Sequence, residues 1–558
     1  VLIFILFLPA AHAGGSALTQ PQPQVKTSTE AVHLFYGPKL PQYYQELSPL
    51  ELEIGQLLMP TADISGVGRL QKAVARGEIG GIVLQWGRFD SKNTFGVTYA
   101  LQRLAAKSPL HEPLIIAADY EGGPVFAPET LGLPDLPTNM MIGAANNGDN
   151  CGLLFYLAGQ ELKKAGINMN FSPVLDINTE PTNPIIGVRS FGDDPERAAT
   201  LGTAVINGLK AAGIAPVAKH FPGHGAAKAD SHLELPRIDI STEALKAHLL
   251  PFARAVDAKV TGIMTAHVLY PALDPVNPAT FSTAAVAGLL RGELGFKGVI
   301  LSDSLDMKGA SGKTSVETAA VAALKAGVNL LIIGNGNPAR VRAAIVDAVN
   351  RGEISQAALD YDAQMVAKLK AKYAKPSPKP HSLEFSETYR DVSKAIADEG
   401  VTLVRDTQNL APLTPSTASV CAVFFVPPRF AGDMVRFSAP LMRGGAEVQV
   451  YNSRVEPGAK DAKRAMECAA LADVTVVGSF QWAAKPADAQ VNLIKKLLSS
   501  GKKTALLSLM SPYDITLYPE AKTVIALYGI TRFSSEAAGA LLGGEIKPLG
   551  KLPVTVTQ

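Results

Sequence analysis

Between about residue 48 and residue 370 the chain alternates short β-branched runs with longer segments of helical period, a pattern that dictates repeated strand-helix units around a parallel sheet. Candidate strands are 79–85, 113–120, 167–174, 215–221, 262–268, 298–304 and 329–334, with intervening helices such as one through 154–165. Seven strands of this kind point to a (β/α)8 TIM-type barrel with one strand unseen. Each run begins apolar, and several finish on an ionisable side chain: Asp119, Lys219 with His220, His267 and Asp303. In such a barrel the loops after the strand C-termini build the active site, so residues distant in sequence converge there.

The stretch AKPSPKPHS (374–382) cannot continue a helix and reads as an extended linker. Beyond it, 400–406, 420–426, 446–452, 473–480, 504–509 and 523–529 are further short buried strands, separated by helical stretches such as 488–498. The expected organisation is a barrel over 48–373, the linker, and a C-terminal α/β sandwich over 383–558. At 558 residues the chain is long enough for two such cores.

The opening run VLIFILFLPAAHAGG is apolar and ends in Ala-His-Ala, which fits a secretory h-region with a small-residue cleavage site. A partial signal peptide over 1–14, an extension over 15–47 and an exported protein are the expectations, with no later segment resembling a membrane span. The formal charge is only +2, and the 52 basic residues are scattered rather than gathered into a stripe, which argues against nucleic acid as a partner. Cys151, Cys421 and Cys468 are three in number and widely separated, so they cannot all pair internally, and they lack metal-ligand spacing; buried free thiols are expected.

The segment KHFPGHGAAKADSH (219–232) packs three histidines, a lysine and an aspartate into a glycine-rich loop directly after a strand. One reading is a metal site on His220, His224 and His232, although the glycines and Pro222 argue against the helix on which a His-x-x-x-His zinc pair sits. A second pairs Asp230 with His232, the carboxylate orienting one imidazole nitrogen while the other exchanges a proton. A third leaves the histidines simply hydrogen-bonded in a rigid loop. The loop does not stand alone. GVILSDSLDM (298–307) puts Asp303 at the end of an apolar strand, where a carboxylate can attack, and Asp306 is expected to cap the following helix. Asp119, in AADYEGGPV, and Arg189, in NPIIGVRSFG, join Lys219 and His220 as polar groups suited to fixing sugar hydroxyls.

KHFPGH (219–224) with D-S-H (230–232), NPIIGVRSFG, TAHVLYPALD (265–274) and SDSLDM, in this order, resemble glycoside hydrolase family 3, and within it the β-N-acetylglucosaminidase branch. More loosely, SPYDI (511–515) and GKLPV (550–554) resemble that family's C-terminal segments. The resemblance implies a retaining exo-β-N-acetylglucosaminidase with Asp303 as nucleophile and the Asp230/His232 pair as acid/base. It implies Asp119, Arg189, Lys219 and His220 as sugar-binding positions, no metal and no cofactor, and peptidoglycan fragments or chitooligosaccharides as substrates. Where members of this branch carry arginines after the Asp-x-Glu-Gly-Gly block, this chain has Pro124 and Ala127. GSFQWAAKPADAQ (478–490) shows no carboxylate motif of the kind that β-glucosidases of the family draw from their second domain. A neutral imidazole does not repel an incoming anion as a carboxylate does, so phosphate is an alternative acceptor to water. The rivals are a β-glucosidase or a phosphorylase of the same family and, from another class, a metal-dependent amidohydrolase built on the histidine loop.

Overall fold

A computed structural model describes residues 46–556 except 63, 85–90, 124–132, 134, 313, 376–386, 415, 417 and 482–484. The expected leader, nearly all of the extension, most of the linker, and Pro124 with Ala127 lie outside the described residues.

Eight strands form one parallel sheet in the order β7-β6-β5-β4-β3-β2-β1-β8. They are β1 (Leu58–Ala62), β2 (Gly81–Leu84), β3 (Ile115–Ala118), β4 (Met169–Asn170), β5 (Ala215–Phe221), β6 (Gly262–Thr265), β7 (Val299–Ser302) and β8 (Leu331–Gly334). A parallel bridge between Leu301 and Leu330 brings β7 to β8, so the barrel is nearly closed. All eight strands are buried along their whole length, as expected for strands covered on both faces. The strand unseen in the sequence is β1. Its LMPTA contains a proline and a single β-branched residue, and its register with β8 shifts between Met59 and Pro60.

The helices start and stop where local chemistry satisfies their free backbone groups. Ser48 and Glu51 form a capping box at the head of Pro49–Gln56. Asp194 caps Pro195–Ala212, which ends on Gly213 in the left-handed conformation. Asp306 behaves otherwise than expected. The helix Lys308–Ser311 begins after Met307 with no side-chain cap, and Asp306 instead accepts from the Asn335 N–H at 2.9 Å, Asn335 Nδ2 at 3.0 Å and Ser304 Oγ at 2.8 Å. It thereby ties the loop after β7 to the loop after β8, across the seam where strand pairing is weakest.

The second sheet has the order β11-β10-β12-β13-β14-β9. Its strands are β9 (Thr402–Asp406), β10 (Ser419–Phe425), β11 (Glu447–Ser453), β12 (Val474–Ser479), β13 (Lys503–Ser508) and β14 (Thr523–Ala526). Only the edge strand β9 runs antiparallel, against β14. The free-thiol expectation is corrected here: Cys421 on β10 and Cys468 on the helix Ala459–Leu471 form a disulfide, with Cα atoms 5.8 Å apart. A separation of 47 residues hides this pair from spacing arguments, because only packing of the helix on the sheet brings the two together. Cys151 is free and buried.

Candidate active site

The C-terminal ends of β3, β4, β5 and β7 deliver most of the candidate residues to one mouth of the barrel. Lys219, on β5, reaches two carboxylates from the β3 loop, Asp119 Oδ1 and Glu121 Oε1, each at 2.5 Å. Glu121 is fully buried and also takes a forked contact from Arg189, Nε to Oε2 at 2.8 Å and Nη2 to Oε1 at 2.9 Å. Burial alone would raise the Glu121 carboxyl, but Arg189 and Lys219 hold it down to about 2. Glu121, Lys219 and Arg189 thus form one buried charge network, which Asp119 joins through Lys219 from a partly exposed position.

His220 is fixed by a carboxylate that sequence reasoning missed. Asp176, in the loop after β4, lies with Oδ2 2.6 Å from His220 Nδ1, and its Oδ1 accepts from the backbone N–H groups of His220 at 3.2 Å and His224 at 2.6 Å. Burial pushes the Asp176 carboxyl up, while His220, His224 and these hydrogen bonds outweigh it and bring it down. The two glycines of the 219–232 segment are each required: a Cβ at Gly225 would collide with the Ile177 carbonyl oxygen, and Gly223 has a φ of +132° that other residues rarely adopt. Glu121 and Asp176 had a common signal, an acidic residue within two positions of the end of a strand read from the sequence, 113–120 and 167–174. Asp119 drew attention to the β3 block and left its second acid unread, and Asp176 follows a strand of only two residues.

The three histidines of that segment turn to three different partners. Besides His220 on Asp176, His224 Nε2 lies 2.9 Å from Ser231 Oγ, and His232 Nδ1 lies 2.7 Å from Asp230 Oδ1. Among the described residues no group of three or more His, Cys, Asp or Glu side chains is arranged to hold a metal ion. Burial lowers His224 to about 4, which keeps it neutral. Asp230 also accepts the His232 backbone N–H at 2.8 Å, so the carboxylate grips the residue at both its ring and its main chain. Donation of Nδ1–H to Asp230 leaves Nε2 as the nitrogen that can give or take a proton.

The loop carrying this pair is anchored to the element carrying Asp303. Ser231 is buried between Asp230 and His232, and its carbonyl accepts from the Gly309 N–H at 2.8 Å. A second small apolar cluster, including Ala227, Ile238, Val268 and Tyr270, supports the loop from below. Asp303 Oδ1 accepts from the Ser304 N–H at 2.7 Å. Burial opposes its charge, yet His220, His267, His232 and that N–H overcome the penalty and hold its carboxyl well below the ordinary carboxylate range. Asp303 therefore stays ionised, with the imidazoles of His220, His267 and His232 near enough to stabilise its charge. His267 is held by Thr280 Oγ1 at 2.9 Å and the Ser304 carbonyl at 3.1 Å. An ionised carboxylate beside an oriented imidazole, next to a dense polar network, can support nucleophilic attack with proton transfer on a hydroxyl-rich substrate.

A model of the glycosyl hydrolase family 3 N-terminal domain matches residues 49–369. The chain belongs to glycosyl hydrolase family 3. Beta-hexosaminidase A of Pseudoalteromonas piscicida is 31% identical over 88% of this chain and 91% of its own length. A beta-hexosaminidase of Nitrosomonas eutropha is 38% identical over 52% of the chain and 81% of its own. Among solved structures, a family 3 β-N-acetylglucosaminidase from Paenibacillus sp. str. FPU-7 superposes with a TM-score of 0.83 at 31% identity, covering 92% of this chain and 99% of its own. The protein is a glycoside hydrolase of the family's β-N-acetylglucosaminidase branch, and its barrel and second sheet are the two parts of that family's fold.

Proposed function

We propose that this family 3 enzyme is a retaining exo-hydrolase of terminal β-linked N-acetylglucosamine, with Asp303 as nucleophile and His232, held by Asp230, as acid/base. The observation that carries the reading is an ionised Asp303 whose charge His232 helps to stabilise, with one ring nitrogen of that histidine committed to Asp230. Protonated His232 gives its Nε2 proton to the glycosidic oxygen as Asp303 attacks the anomeric carbon. The carbon-oxygen bond to the leaving group breaks and a glycosyl ester of Asp303 forms. The now neutral His232 then takes a proton from water as that water attacks the same carbon. The ester is cleaved and Asp303 is regenerated. Asp119, Arg189, Lys219 and His220 bind the sugar's polar groups, and buried Glu121 and Asp176 hold three of these in place.

The relatives named as beta-hexosaminidases and the family 3 β-N-acetylglucosaminidase structure support the N-acetylglucosaminide substrate. Cell-wall fragments or chitooligosaccharides are the proposed source. Export is part of the proposal: the apolar leader motivates it, and the Cys421–Cys468 disulfide supports it, because disulfides persist in oxidising compartments.

The test compares initial rates on aryl β-N-acetylglucosaminide and aryl β-glucoside, with and without phosphate and chelator, for wild type and His232→Ala. The expected result is preference for the N-acetyl substrate, indifference to chelator, and a loss of about 10²–10⁴ in His232→Ala. Preference for glucoside makes the enzyme a β-glucosidase, acceleration by phosphate makes it a phosphorylase, and loss of activity to chelator sinks the reading altogether.

A further inference from the structure

The mechanism leaves the second domain without a task, yet that domain grips one loop of the barrel mouth from two sides. The loop runs from Asn178 to Asp193 and carries Arg189. Asn178 staples it internally: its N–H donates to the Gly192 carbonyl at 2.9 Å, and its Oδ1 accepts from the Gly187 N–H at 3.2 Å, at the start of the turn Gly187–Arg189. Tyr513, in the turn Pro512–Leu517 after β13, meets Asn178 twice. Its hydroxyl accepts from Asn178 Nδ2 at 3.1 Å and lies 3.3 Å from the Asn178 carbonyl, to which it donates. Burial pushes this hydroxyl up to about 12, so it keeps the proton it donates.

At the loop's other end the C-terminal tail closes the grip. The Thr555 N–H donates to Asp193 Oδ2 at 2.6 Å, and the Pro553 carbonyl accepts from the Asp193 N–H at 3.1 Å and from Arg197 Nη1 at 3.0 Å. The contact is close enough that a Cβ at Gly192 would collide with the Pro553 carbonyl oxygen.

We infer that Tyr513 and the Pro553–Thr555 tail are positioning elements for the donor-sugar pocket, acting through Asn178 and Asp193 on the loop that presents Arg189. The consequence for catalysis rests on the reading of Arg189 as a sugar contact, whereas the consequence for the loop does not. A domain that served only to bury the barrel's flank would be held by contacts indifferent to this loop, such as those of Glu399 with Asn147 and Asn150. The grip on 178–193 instead lands on both ends of the segment that aims one buried guanidinium.

The test is amide hydrogen exchange and steady-state kinetics on the full chain, for wild type, Tyr513→Phe, Thr555→Pro and the control Glu399→Ala. Tyr513→Phe removes only the hydroxyl, and Thr555→Pro removes the N–H that Asp193 accepts. Each is expected to speed exchange across 178–193 by roughly threefold or more while leaving 147–150 unchanged. Each should also raise KM for aryl β-N-acetylglucosaminide by roughly three- to tenfold, with kcat within about twofold. Glu399→Ala should show the reverse pattern, with faster exchange at 147–150 only and an unchanged KM. Exchange over 178–193 that is unaltered in both variants overturns the inference, and so does a KM that Glu399→Ala shifts equally. Exchange requires no substrate, so an inactive wild type would count against the proposed function alone.

Discussion

The two sheets of this molecule gather side chains at the same place, the C-terminal ends of parallel strands, and fill it with opposite chemistry. In the barrel, β3, β4, β5 and β7 deliver Glu121, Asp176, Lys219, His220 and Asp303, and the buried carboxylates there are matched by a cation or an imidazole. In the second sheet, the ends of β12 and β13 deliver hydroxyls around a single buried carboxyl. Ser508 Oγ donates to Asp514 Oδ1 at 2.6 Å, and Ser479 Oγ lies 3.3 Å from the Tyr518 hydroxyl. Burial pushes Asp514 up to about 7 against those hydrogen bonds, while the carboxyls of Glu121, Asp176 and Asp303 at the barrel mouth are driven down. Topology brings residues together, and the partners decide whether a buried acid is a charge or a neutral hydrogen-bonding group.

The comparison breaks if the barrel's charges are not what the reaction uses. Asp303→Ala is therefore the severest test: kcat/KM on aryl β-N-acetylglucosaminide should fall by at least about 10⁴, because the proposed covalent mechanism loses its nucleophile. A loss below tenfold would remove Asp303 from the mechanism. Asp514→Asn should leave the same rate within about threefold, since its carboxyl is hydrogen-bonded within the second domain, to Ser508.

Next in size is Glu121→Gln, which leaves Arg189 and Lys219 buried without their shared counter-charge. A destabilisation of about 3–5 kcal/mol is expected by denaturant unfolding. Because the folded-state value of Glu121 is depressed from 4.5 to about 2, the wild-type contribution is present above about pH 4.5 and is lost as pH falls through that window. The variant's deficit should therefore shrink with acidification; a deficit independent of pH would place its origin in packing.

The smallest effect carries the opposite sign. Asp514 is raised from 3.8 to about 7, so its contribution to stability is greatest below pH 3.8 and is withdrawn as pH rises towards 7. Relative to wild type, Asp514→Asn should become more favourable across that range by on the order of 3 kcal/mol, measured as unfolding midpoints at several pH values. Parallel midpoints would mean that the Asp514 carboxyl titrates alike in the folded and unfolded chain, and the opposite-sign contrast between the two sheets would be lost.

Sequence determined this much because strand patterning and strand-end chemistry are local properties. Apolar runs closing on an acid or a base marked Asp119, Lys219, His220 and Asp303, and the two-residue spacing of Asp230 and His232 placed a carboxylate beside its imidazole before any fold was known. What failed to show locally needed the tertiary structure. Strand β1 is held by neighbours on both sides rather than by its own propensity. Asp176 acquires its meaning only when β4 and β5 lie side by side and bring it under His220. Asp306 reads as a helix cap until the seam between β7 and β8 offers it Asn335. Cys421 and Cys468 meet only when a helix packs on a sheet. Tyr513 reaches Asn178 across 335 residues, a distance over which no pattern of period two or 3.6 carries information. The chain's own periodicity fixes which elements form and which ends carry charge; the pairing of buried charges, and with it their ionisation, belongs to the assembled barrel, where removal from water makes each partner decisive.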